Sequence, residues 1–148
     1  MNYWLMKSEP KVYSIDDLAT EGTTIWDGVR NYQARNFLRA MNVGDLAFFY
    51  HSNCKPPCIV GLMEIMETNI VDPTQFDQNS DYFDSKSTPE NPRWHTVKVC
   101  FKEKFSHLIS LPTLKNTFSP EDFLLIKKGN RLSVMPVSEN VAQTILRK

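Results

Sequence analysis

The chain has 148 residues, of which 41% are hydrophobic and 11% aromatic, enough for one domain that buries its own core without a metal or disulfides. Its 17 lysine and arginine residues balance 17 aspartate and glutamate residues, so the formal net charge is zero. Proteins that bind nucleic acid through phosphate neutralisation carry a basic excess. The composition therefore excludes nucleic-acid binding by overall charge. If the chain binds nucleic acid, we expect a local site that reads shape or a base.

The cysteine count and the N-terminal segment bear on the compartment. An odd number of cysteines (Cys54, Cys58 and Cys100) is typical of a reducing environment, and we expect a cytoplasmic protein. The opening MNYWLMKSEP has no basic region followed by an apolar run, so it is not a secretory signal. No apolar run approaches the roughly 20 residues that span a bilayer. We therefore expect no membrane partner.

The first third of the chain predicts one strand and two helices. Tyr3–Lys7 is an apolar strand that Ser-Glu-Pro closes. Ser14 and the acids after it predict the start of a short helix, which Gly22 ends. The segment Asn31–Met41 is the clearest helix, because its apolar residues recur at i, i+3, i+4 and i+7: Ala34, Phe37, Leu38 and Met41.

The middle of the chain predicts two buried strands and a long loop. Leu46–Tyr50 and Ile59–Met66 are apolar on both faces, as central strands are. Pro73–Arg93 is rich in Asp, Ser, Asn and Pro, and a loop of that length is typically functional or disordered. Three aromatic residues predict an ordered loop that packs back on the domain: Phe76, Tyr82 and Phe83.

The last third predicts two strands and two helices. Trp94–Phe105 alternates, so Trp94 should point away from the face that carries the valines and be exposed. Ser119-Pro-Glu-Asp has the cap, proline and acids of a helix start. Leu132–Val137 is predicted to be a strand, and Ser138 is expected to cap a closing helix. We predict a single α+β domain over residues 1–148, with a mixed or barrel-like sheet.

Known catalytic signatures are missing from the sequence. It has no glycine-rich phosphate loop, no HExxH motif and no GxSxG elbow, and we predict no cofactor. His51, Cys54 and Cys58 have metal-like spacing but no nearby fourth ligand. We predict a turn with buried thiols there, not a metal site.

Trp26 is the first candidate for ligand binding, because it lies in a loop just before the clearest helix. It offers a flat stacking surface, with Arg30 and the helix amides nearby for an anion. A core tryptophan under a loop is the alternative. Trp94, following the long loop, would supply the second wall of an aromatic slot.

Polar residues at two strand ends are further candidates. Tyr50, His51 and Ser52 end a central strand and can hydrogen-bond a base edge; a satisfied surface cluster is the alternative. A buried Glu9, after Lys7 and Ser8, would accept from the exocyclic amine of adenine or cytosine, unless the turn is an ordinary one with a solvated ion pair. The candidate phosphate contacts are Lys7, Arg35, Arg39 and Arg131. The acidic long loop is a poor phosphate contact.

Six segments, in order along the chain, resemble the EVE domain family, which includes bacterial stand-alone proteins and the thymocyte nuclear protein group. They are YWLMKSEP (3–10), IWDGVRNYQARNFLRAM (25–41), GDLAFFYHSN (44–53), IVGLMEI (59–65), PRWHTVKV (92–99) and NRLSVMPVS (130–138). The resemblance implies a PUA-like fold, a curved mixed sheet or barrel with flanking helices, related in architecture to YTH readers of methylated RNA.

The resemblance also implies a function. EVE domains are associated with binding modified bases, including methylated cytosines, by placing a flipped base in a pocket. The expected partner is DNA or RNA that carries a modified base. By position, the pocket would be drawn from the strand end at Ser8 and Glu9, the loop Trp26–Asn31, Tyr50–Ser52 and Trp94. Within these segments the proposed base-binding residues are Ser8, Glu9, Trp26, Arg30, Asn31, Tyr50, His51, Ser52 and Trp94.

Two other functions stay open at this point. The related ASCH-type amidohydrolases share a PUA-like fold and would use a Lys/Glu pair in the cleft, for which Lys7 and Glu9 are the only counterparts. These two alternate along a strand and so share a face. A protein-interaction module with no affinity for nucleic acid is the third reading.

Overall fold

The computed structural model describes all residues, 1–148. Its elements, in chain order, are β1 (Tyr3–Ser8), α1 (Ile15–Glu21), β2 (Thr23–Ile25), α2 (Tyr32–Ala40), β3 (Leu46–His51), β4 (Cys58–Val71), β5 (His95–Ser110), α3 (Leu111–Thr117), β6 (Val134–Val137) and α4 (Glu139–Leu146). Single 3-10 turns lie at Pro73–Phe76 and Leu124–Ile126. No helix is long and apolar enough to cross a membrane.

The six strands form one open, mixed sheet in the order β2-β5-β4-β3-β1-β6. Only the β1–β3 pair is parallel. The nine-residue helix α2 packs against both β5 and β6. Such a helix is about 14 Å long, whereas these strands, four positions apart, would lie about 19 Å apart in a flat sheet. The sheet is therefore curved around α2, which confirms the predicted mixed and curved architecture.

Most of the predicted elements are present, and their caps are the expected ones. The Ser14 hydroxyl accepts from the Asp17 amide, and the Asp17 carboxylate accepts in return from the Ser14 amide. Gly22 ends α1 with a φ of 83°. Asn31 caps α2 by accepting from the Ala34 amide. These local hydrogen bonds explain why the two helix starts were readable from sequence.

The predicted helix start at Ser119 is wrong. The segment forms tight turns, and the Ser119 hydroxyl donates to the Asp122 carboxylate. Phe123 and Leu125 are both buried, and residues two apart lie on nearly opposite sides of a helix, so a helix could not bury both on one face. The helix of this region, α3, begins earlier, where Ser110 caps it. The short strand β2 was not predicted either.

One core of 34 buried hydrophobic residues joins the sheet to its helices. Asp45, a buried carboxylate, ties the N-terminus to this core: it accepts from the Asn2 amide, the Trp4 indole and the Asn42 amide. Trp94 is buried but lies outside this core cluster. The long loop and the start of α2 therefore form a separate packed region beside the main core.

Candidate functional site

A cleft of about 680 Å³ lies at the end of β1. Three parts of the chain build most of it: the β1 end with the residues after it, the segment 24–30, which begins in β2 and leads toward α2, and Tyr82 from the long loop. The strand β1 delivers its last residues here because it is held between β3 and β6, and its backbone continues the ladder with Lys7 donating to the Ser133 carbonyl. We refer to this space as the cleft.

The cleft unites about half of the residues proposed from the sequence. Seven line it: Lys7, Ser8, Glu9, Trp26, Arg30, Ser52 and Arg131. Six do not: Asn31, Arg35, Arg39, Tyr50, His51 and Trp94. Lining residues that sequence reasoning missed include Tyr13 and Tyr82, whereas Asp27 and Gly28 belong to the loop Trp26–Asn31 from which the pocket was expected. Tyr13 and Tyr82 carried no local signal, because only the folded chain brings them to the end of β1.

Trp26 lies both in the core and on the cleft wall. It is 7% exposed and packs edge-on against Phe49, with ring centroids 5.3 Å apart. Its backbone is fixed on β5, since its amide donates to the Val97 carbonyl and its carbonyl accepts from the Thr96 hydroxyl. The indole is therefore a rigid wall of the cleft. Its burial agrees with the interpretation of Trp26 as a core residue, and stacking on a ligand stays a prediction.

Tyr82 reaches the cleft because Gly28 leaves room for it. Gly28 has a φ of +83°, and a Cβ built there would lie 2.7 Å from the Tyr82 ring. Glycine is needed both for that backbone conformation and for the close approach of the ring. The acidic loop thus contributes an aromatic side chain to the site. The prediction that the loop packs back on the domain is confirmed for Tyr82, whereas Phe83 is 40% exposed.

Arg30 holds this arrangement together and is not free to bind an anion. Its Nε and Nη2 donate to the Tyr82 carbonyl at 2.9 and 2.7 Å, and Nη2 also donates to the Thr74 hydroxyl at 3.0 Å. Nη1 donates to the Val29 carbonyl and to the buried Asp72 carboxylate, both at 3.0 Å. A guanidinium has five N–H donors, and all five are used. The expected anion contact by Arg30 is therefore corrected to an internal clasp.

Trp94 is not the second wall of the cleft. It is 6% exposed, stacks on Tyr32 and donates from its indole to the Asp84 carboxylate at 2.7 Å. The prediction of an exposed Trp94 is wrong because α2 and the long loop cover that face of β5. Alternation along a strand separates its two faces but does not show which of them is covered.

The strand-end residues differ from their predicted environments. Glu9 is exposed, not buried, and accepts from the Asn53 amide group at 2.6 Å. The Ser8 hydroxyl donates to the Tyr13 carbonyl. His51 accepts at Nε2 from the Ile15 amide at 3.1 Å, so its imidazole anchors the start of α1. Burial lowers the pKa of His51, which favours the neutral acceptor form that this bond requires.

Tyr50 is 3% exposed, and burial raises its pKa to about 12. It therefore stays a neutral phenol under ordinary conditions. Cys54 and Cys58 are free thiols, and no group of three or more His, Cys, Asp or Glu side chains is placed to hold a metal ion.

The charges inside the cleft are unevenly paired. Lys7 is half-buried and Arg131 is exposed, and neither forms an ion pair. Burial lowers the pKa of Lys7. Asp27 also faces the cleft, and its pKa is raised, first by partial burial and then by the neighbouring carboxylate of Asp72. Three acidic residues line the cleft: Glu9, Glu21 and Asp27. The cleft thus offers two cations without an ion pair and, in Asp27, a carboxyl group with a raised pKa.

Comparisons with known proteins agree with this fold. The EVE domain model matches residues 2–148. Thymocyte nuclear protein 1 of Rattus norvegicus is 45% identical over 98% of this chain and 72% of its own length. Its human counterpart is 42% identical over the same shares of the two chains.

Solved structures show the same similarity. A Pseudomonas syringae protein superposes with a TM-score of 0.94 at 48% identity, over 98% of this chain and 97% of its own. Human THYN1, solved in complex with 5-methylcytosine containing DNA, gives 0.91 at 43% identity, over 99% and 96%. The Mmi1 YTH domain shares the fold alone, at 0.52 and 10% identity. With its curved mixed sheet of PUA-like type and a family match over nearly its whole length, the chain belongs to the EVE domain family.

Proposed function

We propose that this chain binds DNA carrying 5-methylcytosine and that the cleft holds the modified base, extruded from its helix. The observation that carries the proposal is the human relative's complex with 5-methylcytosine containing DNA, at 43% identity over almost the full chain. The cleft supports it, because Trp26 and Tyr82 both line a space of about 680 Å³. Pockets of a few hundred Å³ lined by aromatic and polar groups are typical ligand sites.

Burial of the methyl group does not by itself supply enough free energy to extrude and recognise the modified base. Extruding a base costs a few kcal/mol, and stacking on an aromatic side chain returns roughly 1–3 kcal/mol. Burying one methyl adds only about 0.8 kcal/mol. Discrimination must therefore come from the shape of the cleft and from its polar groups. Asp27 is one carboxyl group that lines the cleft, and a carboxylate can accept from the cytosine amine.

The two unpaired cations of the cleft suit the phosphates that flank an extruded base. Lys7 lies half-buried at the end of β1, and Arg131 lies exposed on the rim. Because neither has a carboxylate partner, each could contact a phosphate without breaking an ion pair within the protein. Arg30, by contrast, would have to break its bonds to Asp72 and Tyr82 to reach a phosphate.

The test compares binding to matched duplexes that carry one 5-methylcytosine or one cytosine, by fluorescence anisotropy. We expect the native chain to prefer the methylated duplex and Tyr82→Ala to lose roughly tenfold affinity for it, within the range for one lost stacking partner. Tyr82 is the better probe than the core residue Trp26, whose truncation would cost about 3–5 kcal/mol of stability. Phe83→Ala is the matched control, because Phe83 is 40% exposed and does not line the cleft.

Two results would contradict this proposal. One is an unchanged affinity for the methylated duplex in Tyr82→Ala. The other is turnover: hydrolysis of a modified nucleoside that is lost in Lys7→Met would favour a hydrolase, since a desolvated lysine in a cleft is a typical catalytic group. An RNA strand of the same sequence, included in the panel, tests the choice of DNA.

A further inference from the structure

An exposed tyrosine beside the cleft is held in place by an aromatic stack. The Tyr32 ring lies on the Trp94 ring with centroids 4.9 Å apart and planes 16° from parallel. Trp94 is buried, whereas Tyr32 is 51% exposed. One face of Tyr32 is thus covered by Trp94, and we call the other face, with Trp94 beneath it, the Tyr32 platform.

The neighbouring arginine leaves the outer face of Tyr32 open. The Arg35 guanidinium carbon lies 4.8 Å from the Tyr32 centroid and 6.0 Å from the Trp94 centroid. A group over the outer face would be farther from Trp94 by nearly the whole Tyr32–Trp94 separation. Arg35 therefore lies beside the stack, where its Nη1 donates to the Arg93 carbonyl.

The rim of the platform is basic. None of Arg35, Arg39 and Arg93 forms an ion pair. Arg93 donates to the Tyr32 hydroxyl at 3.4 Å, and Arg39 is one turn along α2 from Arg35. The nearby acid, Asp84, already accepts from the Trp94 indole and the Lys86 amide. A flat ring with unpaired guanidinium groups around it is a surface suited to a base and its phosphates.

Arg30 connects the cleft to the Tyr32 platform. Arg30 lines the cleft, and its guanidinium carbon lies 5.2 Å from the Trp94 centroid, which in turn is 4.9 Å from Tyr32. Tyr32 is therefore within about 10 Å of the Arg30 guanidinium, or about three stacked base steps at roughly 3.4 Å each. A nucleic acid with one base in the cleft would bring neighbouring bases within reach of this ring.

We propose that the Tyr32 platform is a second stacking site, which holds an unpaired nucleobase close to the one in the cleft while Arg35, Arg39 and Arg93 contact the adjoining phosphates. The inference rests on the proposed function for the identity of its ligand. Because Trp94 already orders the ring, binding costs little further side-chain entropy. Extruding one base leaves its former partner unpaired and exposes one face of each stacked neighbour, and the platform offers these bases a stacking contact.

A double-mutant cycle tests the contact. Methylated duplexes with an abasic site at each position within three nucleotides of the 5-methylcytosine, or opposite it, are titrated with the native chain and with Tyr32→Ala. We expect Tyr32→Ala to bind methylated and unmethylated DNA about 5- to 150-fold more weakly, with their ratio unchanged. One abasic position should weaken the native chain but not Tyr32→Ala. Its place identifies the base as a same-strand neighbour or as the orphaned partner.

Two further variants separate the ring from general damage. Tyr32→Phe keeps the aromatic face and should bind within about twofold of the native chain. Leu108→Ala truncates another exposed side chain, 58% exposed, and should change nothing. Thermal unfolding of each variant confirms that it is folded.

The proposal is overturned if the abasic penalties are the same in both proteins at every position, or if Tyr32→Ala binds as tightly as the native chain. Failure of the cleft proposal looks different. In that case Tyr82→Ala binds the methylated duplex as tightly as the native chain while the coupling between Tyr32 and one base persists.

Discussion

Asp72 supports the cleft from behind its wall, although it does not line it. Its buried carboxylate accepts from the Gly28 amide at 2.9 Å, from Arg30 at 3.0 Å, and from the Thr74 amide and hydroxyl at 2.8 and 2.6 Å. One side chain therefore joins the segment before α2 to the start of the long loop. Without it, the largely buried Arg30 would keep its charge but lose its counterion.

We predict that Asp72→Ala lowers the free energy of unfolding by about 3 kcal/mol, because an uncompensated, largely buried charge costs that much. Urea denaturation measures the change. Asp16→Ala is the matched control: it removes the exposed ion pair with Lys104, which should cost less than about 1 kcal/mol. Equal losses in the two variants would show that Arg30 and Asp72 do not act as a buried pair.

At the scale of elements, the long loop can pack against the segment before α2 because Gly28 has no side chain where the Tyr82 ring lies. Gly28 and Gly129 both have positive φ, +83° and +81°. A Cβ at Gly28 would strike the Tyr82 ring, while nothing lies within 4 Å of a Cβ at Gly129. Alanine therefore causes the same backbone strain at both positions, but it collides with another side chain only at position 28.

We predict that Gly129→Ala loses about 1 kcal/mol of stability from strain, and that Gly28→Ala loses a further 1–3 kcal/mol from overpacking. Gly28→Ala should also bind methylated DNA more weakly, because Tyr82 is displaced. Urea unfolding and anisotropy measure the two effects. If both variants lose the same stability and bind alike, Tyr82 does not rest on Gly28 in solution.

Local patterns predicted the elements whose determinants are local. The cap and apolar period of α2 and the apolar run of β3 lie within the elements themselves, and both were found. The helix predicted to start at Ser119 does not form, although its cap and acids are genuine local signals. Phe123 and Leu125 are both buried in the folded protein, and this tertiary packing outweighs the local preference for a helix.

The site was only half predictable because the cleft is made between segments. Trp26 and the β1 end could be proposed, since loops beside helix starts and strand ends commonly bind ligands. Tyr82 could not be proposed from the sequence, because its position depends on hydrogen bonds from Arg30 and on the space beside Gly28, both some fifty residues away. Trp94 was misplaced for the same reason, since the loop that covers it has no period from which to infer its path.

At the scale of the whole molecule, neutrality limits how the protein can hold DNA. Its 17 basic and 17 acidic residues give no general attraction to phosphate. The unpaired cations at the cleft and around the Tyr32 platform are five: Lys7, Arg35, Arg39, Arg93 and Arg131. Binding should therefore depend on a few local phosphate contacts, with most of the free energy supplied by stacked bases.

The salt dependence of binding measures the number of these contacts. Each neutralised phosphate on duplex DNA contributes about −0.9 to the slope of log K against log salt concentration, so five cations predict a slope no steeper than about −4.5. Arg39→Gln should flatten the slope by about 0.9, whereas Arg147→Gln, which removes an exposed arginine outside both sites, should leave it unchanged. A slope near −8 would require a continuous basic surface, and the even charge balance leaves no source for one.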